Sequence, residues 1–155
     1  LDIATGTGDL ALALYATKAS RIIGLDISAG MLSVGKDKVK AENLENTIEM
    51  VIGDSEALTY EENSFDVVYC SRVLEQIKYG KDKALAEMAR VGKYVVLIEP
   101  IADFQNIYSK QHIKKQDYIN LKISDIERHG EIIKVKKLNA YDPCYIDAIV
   151  VMKCS

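Results

Sequence analysis

What most narrows the fold of this chain is an alternation. Short apolar runs are separated by longer amphipathic stretches from the first residue to Glu99. Leu1–Ala4 reads as the end of a strand. "RIIGLDI" (Arg21–Ile27) reads as a second, apolar on both faces as a strand inside a parallel sheet must be. "TIEMVI" (Thr47–Ile52), "SFDVVYC" (Ser64–Cys70) and "YVVLIE" (Tyr94–Glu99) continue the series. Between them, Asp9–Lys18 reads as a helix with Leu10, Leu12, Ala13 and Leu14 on its buried side. Ser28 is placed to cap a second helix, in which Met31, Leu32, Gly35 and Val39 share one stripe until about Asn43. Lys81–Val91 is a third, with Leu85, Met88 and Ala89 as its apolar face. Strands joined by helical crossovers pair in parallel and need cover on both faces, so the architecture is α/β.

The texture changes after Pro100. Residues 101–116 are polar and aromatic, with no clear period. Asp117–His129 reads as a weak helix through Ile119, Ile123 and Ile126, stopped by Gly130. "EIIKVKKL" and "YIDAIVVMK" then form two extended runs around a turn containing "YDP", a hairpin that must add an antiparallel strand. With 155 residues, 48% of them apolar, a single domain over 1–155 is expected. A net charge of −3 offers no basic surface for a nucleic-acid backbone. Cys70, Cys144 and Cys154 are too scattered for a disulfide framework, and no metal-ligand spacing appears. Those cysteines, with no signal peptide and no apolar run near the ~20 residues of a membrane helix, point to the cytoplasm. A strand at residue 1 with nothing leading into it is expected of a chain lacking its natural N-terminus.

The first ten residues, "LDIATGTGDL", carry the chemistry. "GTGDLA" (Gly6–Ala11) fits the glycine turn that opens dinucleotide-binding folds, and Asp26 stands 20 residues beyond Gly6, where a carboxylate accepts from ribose hydroxyls. An NAD-dependent oxidoreductase is therefore one reading. Three acids favour a nucleoside without phosphates. Asp9, in the first helical turn, would repel a pyrophosphate. Asp2 precedes the turn, where a carboxylate can receive its amides or reach a cationic ligand. Asp54, in "GDSEAL" (Gly53–Leu58), stands just past the third strand, where it could read an adenine edge. All of these positions lie at the carboxyl ends of strands, the binding edge of an open α/β sheet.

"LDIATGTG", "GLDIS", "GDSEAL", "NSFDVVYCSRVLEQI" and "EMARV" followed by "LIEP" together resemble the ordered motifs of class I S-adenosylmethionine-dependent methyltransferases, over nearly the whole chain. The resemblance implies a Rossmann-like seven-stranded sheet of order 3-2-1-4-5-7-6 with strand seven antiparallel and helices on both faces. It assigns Asp2, Ala4, Thr5, Gly6 and Gly8 to the methionine half of S-adenosylmethionine, and Asp26 to the ribose. Ile27 and Met31 would pack near the adenine, whose amino group would meet Asp54 and Ser55, beside Gly53. Cys70, Ser71 and Arg72 would face the methyl-transfer centre. S-adenosylhomocysteine would be the product. The first 69 residues are most similar to the ubiquinone/menaquinone biosynthesis C-methyltransferase type. Three departures stand out: Ala4 replaces the first glycine of the motif, "CSRVLEQI" follows a general small-molecule pattern, and "GK" (Gly92–Lys93) is all that is left of the usual turn before strand five.

The expected function is methyl transfer to a small-molecule acceptor, with C-methylation of a quinone precursor as the named candidate. A quinone acceptor would bring peripheral contact with a membrane. The alternative is a cofactor-binding module without activity of its own. Glu75 and His112 are the candidates for a general base, where the acceptor must lose a proton. Plainer readings stand beside these. Asp66 is structural, His129 sits at a helix end, and Tyr108, Tyr118, Tyr141 and Tyr145 are either core or pocket. Lys134, Lys136 and Lys137 suit an edge strand. Nothing in the sequence sets the oligomeric state.

Overall fold

All five residues of β2 (Ile22–Asp26) are buried, the pattern of an interior strand in a sheet covered on both faces. The computed structural model describes residues 1–116, 118, 121–138 and 147–154. The other strands are β1 (Asp2–Ile3), β3 (Ile48–Ile52), β4 (Phe65–Ser71), β5 (Gly92–Pro100), β6 (Glu131–Lys137) and β7 (Asp147–Lys153). The helices are α1 (Asp9–Leu14), α2 (Ala29–Ala41), α3 (Lys81–Val91), α4 (Ile107–Lys115) and α5 (Ile123–Ile126). The strands form one sheet of order β3-β2-β1-β4-β5-β7-β6. β1, β2 and β3 pair in parallel, as do β4 and β5, while β7 runs antiparallel to both β5 and β6. This is the sheet order and reversed strand that the family resemblance implied. The chain divides into two compact units, Leu1–Thr59 and Tyr60–Ser155.

In the first unit, Ala11, Ile22, Leu32, Val39, Ile48 and Met50 form the core, with Leu12, Leu14, Ala19 and Leu44 packed around it. Ala11 rather than Ala13 is the buried residue of α1, and α1 ends at Leu14, passing into a 3-10 turn over Tyr15–Thr17. α2 follows its sequence except at Met31, expected in the buried stripe but 44% exposed. Ser28 is extended at φ −92° and its Oγ accepts from the Met31 amide at 3.3 Å, while Leu32, Gly35 and Val39 are the buried stripe.

In the second unit, α3 buries Ala84, Leu85, Met88 and Val91 and passes directly into β5 at Gly92. Gly92 lies close against β4: a Cβ at this position would stand 2.6 Å from Val68 Cγ2. Beyond Pro100 the structure adds elements that no period announced, and one expectation fails. Residues 101–116 contain a 3-10 turn, Ala102–Phe104, and the nine-residue helix α4. The expected helix over Asp117–His129 shrinks to the single turn α5, with Asp117 and Ile119 outside the described residues. Ahead of α5, Leu121 is held instead in a parallel bridge to Ile101, and its carbonyl accepts from the Ala102 amide at 2.7 Å. Extended backbone at Leu121 precludes a helix through it. Tyr141, Cys144 and Tyr145 lie outside the described residues. No described helix is long and apolar enough to cross a membrane.

Candidate functional site

Three residues of the turn after β1 enter the left-handed region in alternation: Ala4 at φ 52°, Gly6 at 58° and Gly8 at 80°. Glycine adopts this backbone freely, whereas a residue with a Cβ is strained in it. At Gly8 space adds a second demand, since a Cβ there would stand 2.3 Å from Met50 Cε. The Thr5 amide donates to the Leu25 carbonyl at 3.0 Å and the Gly8 amide to the Thr5 carbonyl at 2.9 Å, pinning the turn to β2. Asp2 is buried, and its Oδ2 accepts from Thr5 Oγ1 at 2.6 Å. Burial pushes its carboxyl up to about 6, against the opposing hydrogen bond from Thr5. Asp2 therefore stiffens the turn from beneath.

Asp26 joins three segments at the carboxyl end of β2. Its Oδ2 accepts from the Gly6 amide at 2.8 Å, its Oδ1 accepts from the Ser28 amide at 2.8 Å, and its carbonyl accepts from the Gly53 amide at 3.0 Å. Each carboxylate oxygen keeps a second lone pair for a further donor. Beyond Gly53, Asp54 Oδ1 accepts from the Glu56 amide at 2.8 Å, closing a turn that leaves Asp54 exposed and Ser55 half-buried. Ile27, Met31 and Ile52 are 76%, 44% and 62% exposed. Ile52 stands opposite Asp26 in the β2–β3 register, and Met31 Cε lies 3.4 Å from where a Gly6 Cβ would be. An acid with spare acceptor capacity, bare glycine backbone and uncovered apolar side chains suits a flat heterocycle carrying a diol. Ile52 escaped the sequence reading because the alternation marks it as strand; its exposure at the strand's end is a tertiary fact.

Asp9 needs a correction. Its exposed carboxylate accepts from Thr7 Oγ1 at 2.8 Å and from Lys38 Nζ at 2.7 Å, and this hydrogen bond from Lys38 holds the carboxyl below its usual range. With its charge balanced by α2, Asp9 is a weaker barrier to a pyrophosphate than the sequence alone suggested. Of the three acids that favour a phosphate-free ligand, Asp2 and Asp54 are then left, since Asp26 suits the ribose of either nucleotide.

The end of β4, in the second unit, gathers a different chemistry. Cys70 is fully buried with its Sγ 3.7 Å from Glu99 Oε1, so the thiol points into the unit. Ser71 is half-buried, and Arg72 follows at φ 56° with its guanidinium donating to Asp147 Oδ2 at 2.9 Å. Glu75, in the 3-10 turn Leu74–Gln76, is buried with the Arg72 guanidinium 3.9 Å away. Burial pushes its carboxyl up, Arg72 opposes this and Asp147 adds to it. His112 falls on α4, and its side chain lies outside the described residues. Glu99, fully buried, is the residue that sequence reading passed over. An acid at the end of an apolar strand was its only signal. Asp66 is exposed and pairs with Lys93 at 2.7 Å. His129 Nε2 lies 3.0 Å from Asp82 Oδ1, just past α5.

A seven-stranded sheet with its last strand reversed, opening on a left-handed glycine turn tied to an acid at the end of β2, defines a Rossmann-like methyltransferase fold. Residues 1–94 match the family model of a methyltransferase domain, and the chain belongs to that family. A demethylmenaquinone methyltransferase of Bacteroides fragilis is 37% identical over 121 residues, covering 71% of this chain and 49% of that protein. The ubiquinone/menaquinone biosynthesis C-methyltransferase UbiE of Hydrogenovibrio crunogenus is 34% identical over 139 residues, covering 86% and 52%. The chain thus spans about half the length of the curated relatives it matches. A geranyl diphosphate C-methyltransferase of Streptomyces coelicolor, solved with S-adenosyl-L-homocysteine, has a TM-score of 0.81 at 9% identity, covering 99% of this chain and 68% of that one. The PH0226 protein of Pyrococcus horikoshii has a TM-score of 0.79 at 16% identity, covering 99% and 80%. At these identities the likeness is one of fold.

Proposed function

We propose that residues 1–155 serve as one S-adenosylmethionine-binding domain of a methyltransferase that methylates a small quinone precursor at carbon. The observation that carries the cofactor is Asp26, tied by its two oxygens to the glycine turn and to the start of α2, with Ile27, Met31 and Ile52 exposed around it. In this reading Asp26 accepts from the ribose hydroxyls, and Ile27, Met31 and Ile52 flank the adenine. Gly53, Asp54 and Ser55 meet its amino edge. Ala4, Thr5, Gly6 and Gly8, braced by Asp2, hold the methionine half. The quinone acceptor rests on the named activities of the relatives from Bacteroides fragilis and Hydrogenovibrio crunogenus. A lipophilic acceptor of that kind would bring the protein to a membrane surface from a cytoplasmic location.

Bound S-adenosylmethionine supplies a methyl group already activated on a sulfonium, and alignment in a water-poor pocket is worth ~7–11 kcal/mol. The protein's own contribution is therefore positional. Asp26 and the turn hold the donor side. On the acceptor side, Ser71 and Arg72 orient the ring, and Glu75 takes the proton from a ring hydroxyl so that the adjacent carbon becomes nucleophilic.

Calorimetry on the full-length protein tests this. S-adenosylhomocysteine is expected to bind, and Asp26→Ala to weaken binding about tenfold or more by removing a charged acceptor. Tighter binding of NADH would install an oxidoreductase instead. Cofactor binding without methyl transfer to a short-chain demethylmenaquinol or related phenols would leave only a binding module.

A further inference from the structure

Glu99 is the next-to-last residue of β5, is fully buried, and has no part in the site as the sequence outlines it. Its Oε1 accepts from the Val73 amide at 2.9 Å and the Leu74 amide at 3.2 Å, with Cys70 Sγ at 3.7 Å. These amides belong to the segment that leaves β4, between Arg72 and Glu75. Arg72 carries a side chain at φ 56°, a backbone it would abandon unless its surroundings over-determined it. The surroundings supply several ties. The Arg72 amide donates to the Ile98 carbonyl at 3.0 Å, one residue before Glu99, and Gln76 Nε2 donates to the Arg72 carbonyl at 2.9 Å. The Arg72 guanidinium reaches Asp147, the first residue of β7. The Glu99 carboxyl gathers the next two amides. Among the ties named, it alone uses a fully buried side chain to receive two backbone donors, so its loss would leave both without that partner.

We infer that Glu99 is a positioning residue for methyl transfer: by holding the Val73 and Leu74 amides it fixes Ser71, Arg72 and Glu75 on the acceptor side. The inference rests on the methyltransferase reading above. Glu99 touches neither substrate nor cofactor in this role. Its Oε2 is buried without a hydrogen-bond partner among the described residues, a cost in an ionised carboxylate that a neutral carboxyl or an amide would lessen. Glutamine should therefore stand in for it, keeping one oxygen on the two amides.

The test compares Glu99→Ala and Glu99→Gln in the full-length protein. Amide exchange at Val73 and Leu74 is expected to quicken about tenfold in Glu99→Ala as the anchor opens locally, and to return to the parent rate in Glu99→Gln. In step with it, kcat for methyl transfer to a short-chain demethylmenaquinol should fall by ~100-fold in Glu99→Ala and recover in Glu99→Gln. Affinity for S-adenosylhomocysteine should stay within about twofold in both, because Asp26 and the glycine turn, which carry the proposed cofactor contacts, belong to the first unit. Should Glu99→Ala not fold, Glu99→Asp replaces it, withdrawing the carboxyl by one methylene. Unchanged exchange at Val73 and Leu74, or a Glu99→Gln enzyme as slow as Glu99→Ala, overturns the inference. A parent protein that binds no S-adenosylhomocysteine refutes the methyltransferase reading instead, and the exchange measurement still decides whether Glu99 anchors the segment.

Discussion

Two residues carry strain or burial that a single substitution can expose. Ala4 sits at φ 52°, where the family's motif has glycine. Ala4→Gly should relieve the left-handed strain and raise stability by ~0.5–1 kcal/mol, after allowing for the looser unfolded chain. Urea denaturation of the two proteins measures it. Glu99 makes stability depend on pH. Burial pushes its carboxyl from 4.5 up to about 7, so the folded chain holds this proton more tightly than the unfolded one. Stability therefore falls as pH rises from about 4.5 through about 7, by ~3 kcal/mol if the whole shift is expressed. Asp2, raised from 3.8 to about 6, adds a slope of the same sign at lower pH. Glu99→Gln cannot ionise, and should lose much less stability than the parent between pH 5 and pH 8. Equal slopes in the two proteins would show that Glu99 titrates normally.

At the scale of elements, legibility followed how much of the local signal was apolar. α2 was plain in the sequence because Ser28 caps it and Leu32, Gly35 and Val39 face one way. Ser28→Ala should cost ~1 kcal/mol, read as a lower urea midpoint with unchanged slope. α4 was missed because, of the side chains described in it, only Ser109 and Ile113 are buried, too few to set up a period. Its real signal was polar. Asn106 Oδ1 accepts from the Ser109 amide at 2.9 Å and Ser109 Oγ accepts from the Asn106 amide at 2.9 Å, a reciprocal cap. α5 was overread in the opposite sense. The spacing of Ile119, Ile123 and Ile126 suggested a continuous stripe, yet the bridge from Leu121 to Ile101 confines the helix to its last turn.

At the scale of the whole molecule, the sheet ends on β6, a strand whose residues are nearly all exposed. Ile133 and Val135 are 50% and 40% exposed, and Lys134, Lys136 and Lys137 alternate with them or follow. A bulge between Ile132 and Lys134 interrupts the pairing with β7. Charges and bulges on an edge discourage pairing with another chain. Replacing Lys134 and Lys136 together by valine should therefore shift the protein toward larger species in size-exclusion chromatography as concentration rises. An unchanged elution profile would mean that the lysines do not guard this edge.

The sequence by itself determined the α/β class, the order of most elements, the family and the residues of the glycine turn. These depend on local periodicity, on caps, and on backbone that only certain residues tolerate, all of which can be read along the chain. Tertiary structure alone decided which partners those residues take. Asp9 meets Lys38 across 29 positions, Arg72 meets Asp147 across 75, and Glu99 gathers the amides of Val73 and Leu74 from a neighbouring strand's end. Hydrogen bonds and ion pairs are set by distance in space, and no period in the sequence encodes that distance. The glycine turn was therefore visible from the first ten residues, while the tie from Glu99 to the end of β4 became visible only once β5 lay beside β4.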